Sequence, residues 1–501
     1  MRVSKFTLVL GLGGLVLTVE GTYQSSTCAA LAAAFPGDVF YPNSTAYIQA
    51  NDYWSVQQED VHPHCFVAPR DTEGVSTAMK LLTSRNASFT VKSGGHTPFA
   101  GGSNIANGVT IDLVHLNGIN ISDDRQTVSL GPGNRWINVT EVLDPLNLAV
   151  VGGRSGAVGA AGLILGGGIS YFSGERGWAC DNVRNFEVVV ASGEVVNASP
   201  EVNPDLYWAL RGGGGSNFGI VTRFDLESFE QGDLWSNELT FPGALNATLL
   251  SLFQNLTING MPSDPAAHSY LSIYYEASLG EYIVNTSFYH AGPPPPAASM
   301  PAVFEPFQSV PDAISNTTLV ANISTHLGDV PIPYGFRQTW WNTAISATSL
   351  DLLTEIVSLF EARNAPLLAA SNGSSTTPFL LFQALPLNIL TQMQKNGGNA
   401  LGLKPSDGPL LVVSIPTTWE DPRLDARIES SSRELIAQIE RLAKQSNLDN
   451  GYVYMNYASS TQQVQKQYGE DNLRRLEEIA RKWDPQGKLA RLWPGYFKLD
   501  V

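Results

Sequence analysis

The part of this chain best equipped for chemistry is a run of β-forming residues that ends in two glycines and a histidine. It runs Phe89-Thr90-Val91-Lys92-Ser93-Gly94-Gly95-His96-Thr97. Adjacent glycines let successive backbone N–H groups converge on a phosphate, because no Cβ atom stands in the way. The imidazole of His96 would then be a nucleophile beside whatever group carries the phosphate. A Gly-Gly turn next to a histidine is equally typical of a hairpin corner, so this segment alone leaves both interpretations open.

Further glycine clusters follow at wide intervals. They are Gly101-Gly102-Ser103, Gly131-Pro132-Gly133, Gly152-Gly153, Gly156 to Gly168 and Gly212 to Gly215. Between them, the β-forming run 109–113 predicts a strand, and the run 188–196 predicts a hairpin with a Ser-Gly corner. The pattern indicates that many backbone turns converge on one extended ligand.

With these motifs the chain resembles the FAD-linked oxidases of the vanillyl-alcohol-oxidase superfamily, in its berberine-bridge-enzyme-like branch. Residues 92–96 are similar to that family's Arg/Lys-x-Gly-Gly-His loop, and residues 156–168 and 211–222 are similar to its later glycine-rich blocks. Residues 454–457 match its Tyr-x-Asn-Tyr pattern. The resemblance implies an α+β fold, with a two-part FAD-binding domain of the PCMH type and a substrate domain whose antiparallel sheet is covered by helices.

The resemblance also implies how FAD is held. It places a covalent bond between His96 and the 8α methyl group of the flavin. Bicovalent members carry a second flavin-linking cysteine where this chain has Ser155, so a single link is expected. The other implied FAD contacts are Lys92, Ser93, Gly94, Gly95, Thr97, Gly102, Ser103, Ser155, Val158, Gly159, Gly162, Gly167, Gly168, Ile220, Val221 and Asn456.

Tyr457 is the second predicted catalytic residue beside His96. It matches a tyrosine that serves as the base in some plant members of the family, although Ser459 replaces the acid that usually follows. An ordinary tyrosine ionises only near about pH 10, so a base role needs nearby positive charge or a hydrogen-bond network. A packing or flavin-contacting role is the alternative.

The resemblance implies hydride transfer from a small organic substrate to FAD. Val158 occupies the family's oxygen-gate position, where valine accompanies reoxidation by molecular oxygen to give hydrogen peroxide. The single flavin link favours a hydrophobic secondary metabolite over an oligosaccharide. A carbohydrate oxidase and a flavoprotein that promotes a redox-neutral or oxidative cyclisation remain alternatives. Aromatic residues that could line the substrate pocket are Tyr270, Tyr274, Tyr275, Tyr289, Trp340 and Trp341.

Two other chemistries find little support in the sequence. The run 62–65 (His-Pro-His-Cys) offers three metal ligands, but such tight spacing hinders tetrahedral binding and no complementary cluster follows, so no metal is expected. A nicotinamide-binding fingerprint would need Gly-x-Gly-x-x-Gly between a strand and a helix, and the Gly156 run has different spacing. The formal charge of −16 makes nucleic acid an unexpected partner.

The distribution of glycine clusters and apolar residues divides the 501 residues into candidate domains. We predict a signal peptide at 1–21, an FAD-binding domain at 22–230 with its PCMH-type core at about 61–230, a substrate domain at 231–446 and a completing segment at 447–501. The middle part loses the glycine clusters. Apolar spacing predicts two amphipathic helices, which span 424–442 and 468–483.

The amino terminus and the sequons predict a secreted glycoprotein, and a monomer is expected. Arg2 and Lys5 precede a short uncharged run and a small-residue cleavage site, and no later segment is apolar enough to span a bilayer. The three cysteines allow three pairings, of which the resemblance favours Cys28 with Cys65. Predicted glycosylation sites are Asn43, Asn86, Asn120, Asn138, Asn197, Asn246, Asn255, Asn285, Asn316, Asn322 and Asn372.

Overall fold

A computed structural model describes residues 26–296, 299–329, 334–371 and 375–501. The predicted signal peptide and the Asn372 sequon lie outside the described residues. Three sheets, each with its own helices, follow one another along the chain. The mixture of helices and largely antiparallel sheets confirms the predicted α+β class.

The first sheet is small and has the strand order β1-β2-β4-β3. Its strands β2 and β3 run parallel to β4, and β1 is antiparallel to β2. The glycine turn after β3 therefore leaves the carboxyl edge of a parallel pair. The strands are β1 (Val39–Phe40), β2 (Cys65–Val67), β3 (Phe89–Lys92) and β4 (Val109–Asp112). The helices are α1 (26–34), α2 (Thr45–Ala50), α3 (Val56–Glu59) and α4 (Thr72–Ser84).

The second sheet is antiparallel, with the order β5-β6-β10-β8-β9 and β7 paired to β10. The predicted hairpin is confirmed, because Val188 pairs with Val196 and Gly193 takes a φ of +81° at its corner. The strands are β5 (Ile119–Ile121), β6 (Thr127–Leu130), β7 (Leu148–Val150), β8 (Val183–Val189), β9 (Val195–Ala198) and β10 (Ile220–Glu230). The helices are α5 (Trp136–Leu143), α6 (Ala160–Leu165), α7 (Ser173–Arg176) and α8 (Pro204–Leu210).

The third sheet has nine strands, which confirms the predicted antiparallel sheet with helices on it. Its main path is β14-β11-β13-β12-β17-β18-β16, while β19 joins β15 to β17. The strands are β11 (Leu234–Pro242), β12 (Ala267–Glu276), β13 (Glu281–His290), β14 (Ser315–Ala321), β15 (Arg337–Thr339), β16 (Asn342–Ser346), β17 (Thr376–Leu385), β18 (Leu410–Ser414) and β19 (Thr417–Trp419). The helices are α9 (Asn246–Asn255), α10 (Met261–Ser263), α11 (Glu305–Gln308), α12 (Ile323–Asp329), α13 (Leu350–Ser371), α14 (Leu387–Gln392) and α15 (Asp425–Gln445).

Helix α15 shows why this sheet is covered. Ile428, Leu435 and Ile439 recur at helical spacing and are fully or almost fully buried. Leu435 and Ile439 belong to the same apolar core as sheet residues such as Leu380 and Val413. Burial of this stripe, rather than helix propensity, keeps α15 in place on the sheet.

The last fifty residues return to the first two sheets. Helix α16 (Glu470–Trp483) buries Leu476 and Ile479 in the core of the second sheet, while α17 (Lys488–Leu492) buries Leu489 in the core of the first. Helix α16 begins two residues later than predicted, because Gly469 takes a φ of +88° immediately before it.

Covalent and surface features agree with several expectations. Cys28 and Cys65 form a disulfide that joins α1 to β2, and Cys180 is buried and free. Each of the other ten predicted sequon asparagines is at least partly exposed, and Asn246 and Asn285 are the two that are half-buried. Within the described ranges, no helix has the length and apolarity to cross a bilayer.

Candidate active site

A cavity of about 380 Å³ lies where the first two sheets, the third sheet and the carboxy-terminal segment meet. The glycine turn after β3 forms one wall, and the α6 region forms another. Tyr270 and Leu381 reach it from the third sheet, and residues 454–458 close it from the carboxy-terminal segment. Elements far apart in the chain therefore share one site of the size that small-molecule and cofactor sites usually have.

Most of the residues predicted to contact FAD line this cavity. They are Ser93, Gly94, Gly95, His96, Thr97, Gly102, Ser103, Ser155, Val158, Gly159, Gly162, Ile220, Val221 and Asn456, together with Tyr457. Lys92, Gly167 and Gly168 were expected in the same group but do not line the cavity.

Lys92 does not line the cavity, because its ammonium group binds other partners. Its Nζ donates to the Ala50 carbonyl, lies 3.5 Å from the Asp112 carboxylate and sits over the Tyr53 ring. Burial raises the pKa of Asp112, and the ammonium of Lys92 opposes that rise. Lys92 therefore anchors the end of β3 behind the glycine turn.

Gly167 and Gly168 form a second layer behind the wall. Both take positive φ values, +115° and +92°, which favour glycine. A Cβ on Gly168 would lie 2.6 Å from the Ala179 Cβ, so no larger residue fits. The backbone N–H groups of Gly168 and Ile169 each donate to the Tyr454 hydroxyl at 3.2 Å. These glycines thus position a tyrosine that does line the cavity.

The turn after β3 meets the loop before α6 backbone to backbone. A Cβ placed on Gly94 would lie 2.4 Å from the Cα of Gly159, and one placed on Gly159 would lie 2.6 Å from the Cα of Gly94. Ser93 Oγ donates to the Pro132 carbonyl at 2.5 Å and holds the turn from its other side. The result is a cradle of main chain that lines the cavity, which suits a pyrophosphate.

His96 lies in this cradle as a neutral imidazole. Burial, followed by the positive charge of Arg135, lowers the pKa of His96 to about 3. Its ring stacks on Trp54 with the centroids 3.9 Å apart and the planes 10° apart. Its Nε2 atom is buried and has no hydrogen-bond partner among the described residues. Other atoms of the ring are partly exposed and line the cavity. A neutral imidazole that faces a glycine cradle fits a covalent bond to a flavin.

Tyr457 has the positive neighbour that a base role requires. Arg154 Nη2 donates to the Tyr457 hydroxyl oxygen at 2.7 Å. Burial alone would lower the pKa of Arg154, but Tyr457 and further tyrosines raise it above its ordinary value. No carboxylate pairs with Arg154 in the part of the chain that the structure describes. Tyr457 therefore has a cationic hydrogen-bond donor beside its phenol oxygen.

Neutral acceptors hold Arg154 in place. Its Nη1 donates to Gln383 Oε1 at 2.6 Å and lies 2.9 Å from His268 Nε2. Because a guanidinium can only donate, His268 Nε2 must accept and the ring proton must lie on Nδ1. Burial, and then Arg154 itself, lowers the pKa of His268 well below its ordinary value. Neither of these neighbours carries a negative charge, so the positive charge of Arg154 is not neutralised by them.

The segment around Tyr457 is fixed without the acid that the family usually supplies. Asn342 donates to the Tyr454 carbonyl at 3.1 Å and accepts from the Tyr454 N–H at 2.8 Å. Gln462 accepts from the N–H of Ser459 and donates to the Asn342 carbonyl at 2.7 Å. Two amides thus tie this segment to the first residue of β16.

The predicted aromatic residues separate into two groups. Tyr270 and Trp340 line the cavity, and the Trp340 ring lies 4.5 Å from that of Tyr457. Tyr289 is buried behind Tyr270, and Trp341 donates to Glu429 from the core of the third sheet. Tyr274 and Tyr275 do not line the cavity.

Sequence reasoning missed the residues that contact the two predicted catalytic groups. They are Trp54 beside His96 and Arg154 beside Tyr457, and sequence reasoning also missed His268 and Gln383, which hold Arg154. Arg154 directly precedes Ser155, so its place in the chain was a usable signal, whereas nothing local to Trp54 or Gln383 indicated a site. Among the described residues, no group of three histidine, cysteine or acidic side chains could hold a metal ion.

Comparisons with known proteins agree with this geometry. The family model of the FAD binding domain matches residues 63–199. The FAD-dependent monooxygenase prx3 of Penicillium roqueforti is 34% identical over 97% of this chain and 96% of its own length. The 6-hydroxy-D-nicotine oxidase of Arthrobacter nicotinovorans has a TM-score of 0.76 at 19% identity, over 93% of this chain and 98% of that one. The BBE-like 1 protein of Physcomitrella patens has a TM-score of 0.74 at 18% identity, over 92% and 97%.

Proposed function

Because this chain belongs to the FAD-linked oxidoreductases of the vanillyl-alcohol-oxidase superfamily, in its berberine-bridge-enzyme-like branch, we propose that it is a secreted oxidase. Its substrate is a small organic molecule, and molecular oxygen accepts the electrons to give hydrogen peroxide. When bound, FAD supplies the two-electron acceptor for a substrate C–H bond. The observation that carries the proposal is the convergence of His96 and the Arg154–Tyr457 pair on one cavity.

His96 is the covalent link to FAD in this proposal. Its neutral ring, its place in the cavity lining and its glycine surroundings support the role. His96→Ala should release all flavin when the protein is precipitated with acid, whereas the wild type should keep its colour in the precipitate. Colour that stays with the His96→Ala polypeptide would contradict a link through this residue alone.

Tyr457 accepts the substrate proton as hydride leaves. The hydrogen bond from Arg154 occupies one lone pair of the phenol oxygen and places a positive charge beside it. Tyr457→Phe keeps the ring that packs on Trp340 and removes the oxygen. Anaerobic flavin reduction should slow by about 10²- to 10⁴-fold in this variant. An unchanged reduction rate would remove Tyr457 as the base.

The substrate we propose is a hydrophobic secondary metabolite. Tyr270, Trp340 and Leu381 give the cavity an apolar wall opposite the glycine turn. The prx3 relative bears the name monooxygenase, so the fate of oxygen needs a direct measurement. An oxidase forms one hydrogen peroxide per substrate turned over, whereas a monooxygenase transfers labelled oxygen into the product. Labelled oxygen in the product would contradict the proposed reoxidation to hydrogen peroxide and would indicate a monooxygenase.

Secretion is the remaining part of the proposal. The disulfide between Cys28 and Cys65 suits an oxidising compartment, and the described sequon asparagines are open to solvent. Expression of the full chain in a secreting fungal host should give extracellular protein that begins near residue 22 and loses mass on treatment with an N-glycosidase. Protein that stays inside the cell with its first residues intact would contradict secretion.

A further inference from the structure

We propose that residues 53–58 form a clamp on the His96 loop, and that Trp54 is the positioning residue for covalent flavin attachment. This inference rests on the proposed link through His96. Trp54 lies in the connection between α2 and α3, is almost fully buried and lines the cavity. It is the aromatic residue that stacks on the His96 ring.

Three hydrogen bonds fix the clamp to the loop that follows His96. Ser55 Oγ donates to the Pro98 carbonyl at 2.6 Å. Tyr53 donates its hydroxyl to the Ser103 carbonyl at 2.9 Å, and Gln58 Nε2 donates to Ser103 Oγ at 2.8 Å. Tyr53, Ser55 and Gln58 are all buried, so these bonds are shielded from competition with water. The clamp and the loop therefore form one rigid unit.

The clamp also packs against the glycine on the other side of His96. A Cβ placed on Gly95 would lie 3.0 Å from the Tyr53 ring, and Gly95 takes a φ of +67°. The loop is thus held on both sides of the histidine, at Gly95 and at Pro98.

Trp54 fixes the plane of the imidazole. Rotation of a histidine ring about its last side-chain torsion has broad minima, so the backbone alone does not set that plane. No hydrogen bond from the described residues fixes Nε2. The stack at 3.9 Å, with planes 10° apart, aligns the ring with the indole instead. A nucleophile held in one orientation reacts faster, because the cost of ordering it is met during folding.

The orientation matters for the bond-forming step. His96 forms a C–N bond from a ring nitrogen to the 8α carbon, while one C–H hydrogen and one N–H hydrogen leave as protons. The two electrons of the broken C–H bond pass to the flavin ring, and molecular oxygen then takes them with two protons to give hydrogen peroxide. Because burial and Arg135 lower the pKa of His96 to about 3, the imidazole keeps its nucleophilic lone pair near neutral pH.

The test compares the rate of attachment in wild type and four variants. Each protein is made in a riboflavin-depleted host, incubated with FAD in air, and sampled for flavin that survives acid precipitation. Total bound FAD is measured in parallel after gel filtration without denaturation. Trp54→Leu keeps an apolar side chain but loses the flat ring, so attachment should slow by about tenfold or more while FAD still binds. Trp54→Phe keeps a ring that can stack and should attach within about threefold of wild type.

Trp483→Leu is the matched control, because Trp483 is a half-buried tryptophan at the end of α16 that donates to Asp205 and does not line the cavity. It should attach FAD at the wild-type rate. Ser55→Ala removes the bond to Pro98 and serves as the second variant if Trp54→Leu does not fold. It should slow attachment by about twofold to fivefold.

The outcomes separate this inference from the proposed function. Attachment at the wild-type rate in Trp54→Leu, or in Ser55→Ala where the first does not fold, overturns the clamp and leaves the His96 link in place. Loss of total bound FAD from Trp54→Leu also overturns it, because Trp54 would then be needed for binding. Release of flavin from acid-precipitated wild type overturns the proposed link itself, and the clamp with it.

Discussion

Arg154 places a positive charge at the cavity. Its guanidinium contacts three uncharged side chains, those of His268, Gln383 and Tyr457. Arg154→Gln removes the charge but can still donate from a shorter side chain. Because Arg154 is the charged donor that holds the Tyr457 oxygen, its removal should slow flavin reduction by about 10²-fold or more. The measurement is anaerobic stopped-flow reduction with an identified substrate across a pH series.

Two further arginine variants sharpen this prediction. Arg154→Lys keeps the charge and loses the fork that reaches Gln383, His268 and Tyr457 together, so it should retain an intermediate rate. Arg176→Gln removes a partly buried arginine that packs on Phe229 away from the cavity, and it should leave the rate unchanged. A rate for Arg154→Gln that matches wild type at every pH would show that Tyr457 does not depend on this charge.

That His96 and Tyr457 line one cavity could be predicted from sequence, because each lies in a local motif. Their partners could not, because the contacts join distant positions. The Arg154 contact to Tyr457 spans 303 positions, and its contact to Gln383 spans 229. Lys92 illustrates the reverse case, since its motif suggested a cofactor contact while Asp112 and Ala50 take its ammonium. A motif fixes where the backbone turns, and the tertiary fold decides where a long side chain points.

At the level of elements, glycine clusters predicted the turns better than hydrophobic patterns predicted the strands. The hairpin of β8 and β9 and the helix α15 followed from turn chemistry and helical spacing. The nine strands of the third sheet were expected only as one sheet, because their order depends on pairings such as β12 with β17. Such pairings between distant strands leave no local pattern in the sequence.

The contact between the β3 turn and the α6 loop can be tested with one methyl group. Gly94→Ala would place a Cβ 2.4 Å from the Gly159 Cα, and backbone cannot move aside as a flexible side chain can. We expect a loss of about 3 kcal/mol in the free energy of unfolding, together with loss of bound flavin. Thermal unfolding and the visible spectrum measure the two effects.

Gly162→Ala is the control for this element. Gly162 lies inside α6, and an added Cβ would meet nothing within 4 Å. Alanine should therefore stabilise the protein by about 0.5–1 kcal/mol, as it does in other helix interiors. Equal melting temperatures for Gly94→Ala and Gly162→Ala would show that the two backbones are not locked together.

Across the whole molecule, a loop from the third-sheet part inserts into the FAD-binding part through buried polar contacts. Asn399 Nδ2 donates to Asp181 Oδ1 at 2.7 Å, and Lys395 Nζ donates to Asn182 Oδ1 at 2.6 Å. Arg211 Nη2 donates to the Asn396 carbonyl at 3.2 Å. Asp181 lies at the centre of this junction and is fully buried. Its protonation state therefore affects how firmly the two parts are joined.

Burial raises the pKa of Asp181 to about 6, although Asn399, the Trp178 N–H, Arg211 and Lys395 oppose the rise. A carboxyl with a raised pKa binds its proton more tightly in the folded state. Its contribution to stability is therefore present below its unfolded pKa of about 4 and is lost as the pH rises through about 6. Between about pH 4.5 and pH 7, this group should cost the wild type about 2 kcal/mol of unfolding free energy.

Asp181→Asn isolates this effect. The amide does not ionise, and any hydrogen bond that it loses costs the same at both pH values. Only the wild type therefore has the pH-dependent contribution of Asp181. The variant should therefore gain stability relative to wild type by about 2 kcal/mol on going from about pH 4.5 to pH 7 in denaturant unfolding. Asp205→Asn is the matched control of opposite sign, because Lys482 and Trp483 lower the pKa of Asp205 against its burial. That variant should lose stability relative to wild type as acid conditions give way to neutral ones. An Asp181→Asn difference that is the same at both pH values would show that the junction holds this carboxyl in one protonation state throughout.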